Sequence, residues 1–234
     1  VSGCSYTQGE FSHVGDEYQI THRGLSFYLE SNNYQTINVG QNGLSNRDAL
    51  KNLTHLKDMN VMHWLLVKTD PIRDLLFHPL QAIDDNIDQN RYKIWLYWWN
   101  QHHDWQKLAD DYDTWLASEI HKNFQGQDFW VVGGLCSLNP APYEALGINV
   151  LWPSWIDQFT ATAADSQWDD VEWLVNTLDG QDKNQTVKVM DAVIKKNTAR
   201  DDHEWFARDG QHPDRNGHKL LYDEIVKRIF DDDE

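Results

Sequence analysis

Val61 to Lys68 reads Val-Met-His-Trp-Leu-Leu-Val-Lys, a near-continuous apolar run that stops at Thr69-Asp70-Pro71. Successive side chains of a strand point to opposite faces, so a strand wetted on one side alternates apolar and polar residues. A run without alternation belongs to a strand buried on both sides, which is how parallel strands sit in α/β proteins. Phe129 to Val132 repeats the pattern before Gly133-Gly134, and Ile148 to Leu151 offers a further short strand. Tyr34 to Val39 alternates and is β-rich, predicting another. Between these lie helical patterns. Asp104 to Phe124 places Leu108, Tyr112, Trp115, Leu116 and Ile120 on one face and ends at Gly126. Arg47 to Met59 follows a cap at Ser45 or Asn46. Asp182 to Thr198 and Gly217 to Phe230 read as helices, and Leu25 to Leu29 as the end of a first helix. Gly9 to Gly24 and Trp205 to His212 read as loops. Strands alternate with helices, no composition shift marks a linker and no repeat is found. The expectation is one α/β domain over residues 1–234, three-layered with a mostly parallel sheet.

Composition narrows the function classes. The chain has 20 basic and 37 acidic side chains, a net charge of −17. Such a surface repels phosphate and argues against a nucleic-acid partner. No apolar run approaches the length of a membrane span, and no secretory leader is expected, since there is neither a basic start nor an apolar core segment. The early turn at Gly3 leaves little room for a strand before it, so either residues precede Val1 or the first strand is very short. Cys4 and Cys136 are the two cysteines and read as free, buried thiols. No Cys/His spacing suits a metal, and adjacent His102-His103 cannot share a helical face. Of the 12 Trp, most are expected in the core. Trp95–Trp99 and Trp152/Trp155 are candidates for a platform against sugar rings.

Chemistry concentrates at two stretches. The first is Val1-Ser2-Gly3-Cys4-Ser5-Tyr6-Thr7-Gln8-Gly9. If a strand enters this turn and a helix leaves it, Ser5 sits at the carboxyl end of a sheet with its hydroxyl exposed and its own N–H aimed into the same space. A lone Gly-x-Ser is a weak signal. The second stretch is Arg208-Asp209-Gly210-Gln211-His212-Pro213. Asp209 and His212 lie three apart in a Gly/Pro-held loop, where a carboxylate can orient an imidazole and stabilise its protonated form. His218, farther on, reads as helix surface.

Taken together, the Ser5 turn at the start, Asp-x-x-His-Pro before the last helix, and Asn38-Val39-Gly40-Gln41-Asn42-Gly43 between them resemble the SGNH (GDSL-like) hydrolase superfamily. The resemblance spans Gly3 to His218. It implies a flavodoxin-like α/β/α sandwich and metal-free, cofactor-free hydrolysis of carboxylic esters, including those of acylated carbohydrates. It further implies Ser5 as nucleophile, His212 as base, Asp209 as its orienter, and the N–H groups of Ser5 and Gly43 as oxyanion donors. Two positions depart from the family pattern. Cys4 stands where Asp usually precedes the serine. The third block, Gly-x-Asn-Asp, is replaced by Val67-Lys68-Thr69-Asp70-Pro71-Ile72-Arg73. An oxyanion donor of the kind lost is worth roughly 3–4 kcal/mol of barrier. Thr69, Arg73, Asn42 and Asn46 are the candidates to replace it. Asp70 and Arg73 read equally well as a loop ion pair, and Asn139 as site-lining or as a loop cap. The rival readings are a degenerate glycan-binding or structural module, and a non-hydrolytic acyltransferase.

Overall fold

The structure, a computed structural model, describes residues 1–14, 17–69, 74, 105–134, 137–155, 158 and 212–230, with backbone alone at 11–14, 17–18 and 105–108. In chain order the elements are α1 (Ser5–Gln8), β1 (Glu10–Val14), β2 (Glu17–His22), α2 (Gly24–Ser31), α3 (Asn46–Thr54), β3 (His63–Lys68), α4 (Trp105–Phe124), β4 (Asp128–Gly133), α5 (Ala141–Glu144), β5 (Asn149–Trp152) and α6 (Arg215–Ile225). Past Ile225 the last helix continues as a π-helical turn, Val226–Phe230. The chain divides into two compact units, Val1–Thr7 with Ile37–Trp155 and Gln8–Thr36 with Ile156–Glu234.

The first unit is built on a parallel sheet in the order β3-β4-β5. Trp64 lies opposite Phe129, Leu66 opposite Val131 and Lys68 opposite Gly133. Two further rows extend it. Ser2 bridges Leu66 in parallel sense: its N–H donates to Leu65 O at 2.9 Å, and Val67 N–H donates to Ser2 O at 2.9 Å. On the other side, Val1 N donates to Ile37 O at 2.8 Å, Val39 N–H to Val1 O at 3.0 Å and Gln41 N–H to Gly3 O at 3.1 Å. This alternation is that of a parallel ladder. The rows therefore run 37–41, 1–3, β3, β4, β5. The strand expected at Tyr34–Val39 is not formed as a regular strand; what forms is this backbone pairing at 37–41, where Val1–Gly3 supplies partners.

The apolar runs fold as their pattern dictates. Ala49, Leu50 and Leu53 of α3 and Leu116, Ala117, Ile120 and Phe124 of α4 pack on Trp64, Leu66, Phe129 and Val131. The intervening residues Leu65, Val67 and Val132 are buried as well, so β3 and β4 are covered on both faces. Each such aliphatic side chain contributes about 1.5–3 kcal/mol by leaving water. Ser45 caps α3: its Oγ accepts from Asp48 N–H at 3.2 Å and donates to Asp48 Oδ2 at 3.0 Å. The helix ends at Thr54, short of the expected Met59. Leu53 is its last fully buried residue, and Met59 is exposed. Gly126 follows α4 at φ +77°, a left-handed stop that suits glycine.

Sequence reading overlooked the end of β3. Lys68 is fully buried, with Nζ 2.6 Å from Asp113 Oδ1 and donating to Ser137 O at 3.2 Å. The Asp113 carboxylate also accepts from Tyr143 OH at 2.8 Å and from Asn139 N–H at 2.8 Å. An ion pair taken wholly out of water holds only if its remaining donors and acceptors are met in this way.

In the second unit, Gly9–Gly24 is not the expected loop. Its residues form an antiparallel hairpin, with Phe11 opposite Ile20 and Val14 opposite Glu17. The apolar residues are few, Phe11 and Val14 on one strand and Tyr18 and Ile20 on the other, among polar neighbours that read as loop. Helix α2 begins at Gly24, and is a helix in its own right rather than the tail of one. It packs against α6. Tyr28 OH donates to Arg215 O at 3.0 Å, and Tyr34 stacks on Phe230 with centroids 4.1 Å apart. The expected helix at Asp182–Thr198 lies outside the described residues. Among the described residues, no helix is long and apolar enough to cross a membrane.

Replacing Lys68 by Met strips Asp113 of its cation in a dry interior, so Lys68→Met is expected to lower unfolding free energy by about 3–5 kcal/mol. The double variant Lys68→Met/Asp113→Asn carries no unpaired charge and regains part of that loss in urea titrations. A single variant as stable as the wild type would contradict this account of the pair.

Candidate functional site

Ser5 opens α1 directly behind the Val1–Gly3 row. The turn is tight because Gly3 has no side chain: a Cβ there would lie 2.7 Å from Thr7 Cγ2 and 2.8 Å from Val67 O. Cys4 is a buried free thiol, as expected. Ser5 itself is only 2% exposed. The open hydroxyl expected from the sequence is corrected here: Ser5, Tyr6 and Thr7 are all buried in this four-residue helix. Tyr6 meets the fully buried Trp155 edge-on, with centroids 6.1 Å apart. Trp155 is therefore core and not a platform.

The 38–43 loop lies against this turn. Asn38 Nδ2 donates to Thr7 O at 2.6 Å, and Asn38 Oδ1 accepts from Gly40 N–H at 3.0 Å. Gly40 must be glycine, since a Cβ would fall 1.8 Å from Thr7 Oγ1. Gly43 is glycine for a different reason: it is exposed, with no atom within 4 Å of a built Cβ, but holds φ +72°, which side-chain-bearing residues avoid.

Beyond β3, Thr69 is clamped by Asn46. Thr69 N–H donates to Asn46 Oδ1 at 2.7 Å, and Asn46 Nδ2 donates to Thr69 O at 2.9 Å and to Tyr112 OH at 3.0 Å. Tyr112 OH in turn donates to Asp74, whose carboxylate also accepts Arg47 N–H at the start of α3, at 3.1 Å. Burial first, then the Asp74 carboxylate, raises the Tyr112 phenol far above its usual range, so it stays a donor. Asn46 was a candidate oxyanion donor; both of its amide hydrogens are committed to this clamp. Asn139 caps the loop before α5: Nδ2 donates to Asp110 Oδ1 at 3.1 Å, and Oδ1 accepts from Ala141 N–H at 3.1 Å. Asp70, Arg73 and Asp209 lie outside the described residues, as do Asn100–Asp104 and the Trp95–Trp99 cluster.

His212 belongs to the second unit, half-buried. It lies two residues before Asp214, the cap of α6, whose carboxylate accepts Gly217 N–H at 2.9 Å. Burial raises the Asp214 carboxyl to about 6, against the pull of the Gly217 hydrogen bond. His218, expected on the helix surface, is fully buried. It faces inward because Gly24, at φ +51°, leaves room: a Cβ there would come within 2.7 Å of the ring. Burial pushes His218 down to about 3; His22 and His212 push the same way, and a hydrogen bond with the Gly9 backbone opposes them.

The structure thus brings the Ser5 turn together with the Gly40–Gly43 loop, and Asn46 together with Thr69. Ser5 falls in one unit and His212 in the other. Asn38, Thr7 and Gly40 were missed as working residues; Asn38 and Gly40 stand in an Asn-x-Gly spacing, but the contact from Asn38 to Thr7 runs across 31 residues of chain. Among the described residues no cluster of His, Cys, Asp and Glu is arranged to hold a metal ion. Comparison with protein-family models, curated proteins and solved structures returned no match.

His218 sets an acid limit on stability. Its folded value of about 3 lies below the unfolded value near 6.5, so its contribution is complete above about pH 6.5 and is lost as pH falls toward 3. At pH 4.5 that loss amounts to about 3 kcal/mol. Asp214 acts with opposite sign but is half-exposed and solvent-screened. Urea titrations are expected to show that wild type loses more stability than His218→Gln between pH 7 and 4.5. Parallel losses in the two proteins would contradict this.

Proposed function

We propose that this chain is a serine esterase of the SGNH type, acting on O-acyl esters, including acetylated carbohydrates. The observation that carries the reading is the row order 37–41, 1–3, β3, β4, β5. From the 1–3 row the chain crosses to 37–41 on one side and then to β3 on the other. The carboxyl ends of 1–3 and β3 therefore flank a topological switch point, where open α/β sheets of flavodoxin-like order bind their ligands. Ser5 follows the first of these ends and Thr69 the second. A three-layer α/β/α arrangement is the fold this reading carries.

In the reaction, Ser5 Oγ attacks the ester carbonyl while His212 takes its proton, and Asp209 holds the imidazole in the right tautomer. The N–H groups of Ser5 and Gly43 receive the oxyanion. The alcohol leaves with the proton from His212, and water then releases the acid from the Ser5 acyl ester by the same steps. Charge suits neutral esters better than anionic ones, given a net charge of −17.

A glycan-binding module without turnover is favoured by two features: the 2% exposure of Ser5, and the Asn46–Thr69 clamp near the third-block position. Hydrolysis of p-nitrophenyl acetate separates the readings. Ser5→Ala is expected to lower kcat/KM by about 10³-fold or more with an unchanged circular dichroism spectrum. A wild-type chain with no turnover above Ser5→Ala, yet retained on an acetylated-xylan column, would establish the binding reading instead.

A further inference from the structure

We propose that Asn38 is a positioning residue that fixes the spacing between the Ser5 turn and the Gly43 loop. It thereby sets the distance between the two N–H groups assigned to the oxyanion, so the inference rests on the esterase reading. One planar amide makes both ties: Nδ2 donates to Thr7 O at 2.6 Å, and Oδ1 accepts Gly40 N–H at 3.0 Å. The first partner lies two residues after Ser5, and the second lies three before Gly43.

Thr7 O belongs to the last turn of a four-residue helix, where carbonyls lack intrahelical partners. Thr7 Oγ1 lies against Gly40, but its hydrogen is committed to Cys4 O at 2.9 Å. Gly40 lets the loop lie directly on Thr7, and Gln41 N–H closes the approach on Gly3 O at 3.1 Å. An aspartate at 38 keeps the acceptor for Gly40 but sets a carboxylate oxygen against Thr7 O. A glutamine is one methylene too long to span the same two groups. Asn38 is half-buried, and both of these bonds go to backbone, one of the turn and one of the loop. Donors for a developing oxyanion act only when preplaced, and displacement by about 1 Å costs on the order of 10²-fold in rate.

The test compares Asn38→Asp and Asn38→Ala with wild type and with Leu53→Ala, a core change on α3, each assayed well below its own melting temperature. Two readouts are used: steady-state hydrolysis of p-nitrophenyl acetate, and the rate at which a fluorophosphonate labels Ser5. Both Asn38 variants are expected to lose about 10–100-fold in kcat, with KM within about twofold of wild type. Labelling slows in parallel, while Leu53→Ala melts earlier but keeps its kcat. An Asn38 variant with wild-type kcat and labelling overturns the positioning role and leaves the esterase reading standing. If neither variant gives a folded chain by circular dichroism, Asn38 is structural and the proposal falls. If wild type itself neither hydrolyses the ester nor labels at Ser5, the esterase reading fails, and the inference falls with it.

Discussion

Val1–Gly3 is bonded on both sides, to Leu65 and Val67 through Ser2 and to Ile37–Gln41 through Val1 and Gly3. This double pairing is the constraint on which the first unit depends. A strand so short gains little from its own side chains, and is held because most of its backbone groups are claimed by neighbours. Where it ends, Gly3 must pass against Val67 O, with no room for a side chain. The position of Ser5 follows from that close approach.

A second constraint operates at the carboxyl end of β3. Lys68, Asp113, Tyr112, Asp74 and Asn46 are buried together, and unpaired polar groups there would each cost several kcal/mol. Their mutual satisfaction orders the residues leading into the Thr69-Asp70 stretch. The same bonding removes Asn46 from the list of spare donors. Satisfying the interior and supplying an oxyanion draw on the same kind of group, and in Asn46 the interior has taken it.

Much of the first unit was legible. Val61–Lys68 and Phe129–Val132 lack alternation because both of their faces are buried, and Trp105–Phe124 carries its apolar stripe at helical spacing. The hairpin at Glu10–His22 was not legible, because its apolar residues are few and its pairing partners are supplied by the other strand. His218 was misjudged for a related reason. Its neighbours Asn216 and Lys219 are polar, and the space that admits it is made by Gly24, far away in sequence.

Local pattern carries the α/β class and the residue types proposed for the chemistry: Ser5 behind Gly3, the glycines of 38–43, and His212 before the last helix. Periodicity and turn chemistry are local properties, so they can be read along the chain. That Ser5 is covered, that Asn38 ties Thr7 to Gly40, that Asn46 clamps Thr69, and that Lys68 meets Asp113 in the dry interior follows from packing alone. Each of these depends on groups 23 to 45 residues apart, or on burial by the whole chain. Which side of a polar residue finds a partner is settled by packing, and no local pattern encodes it.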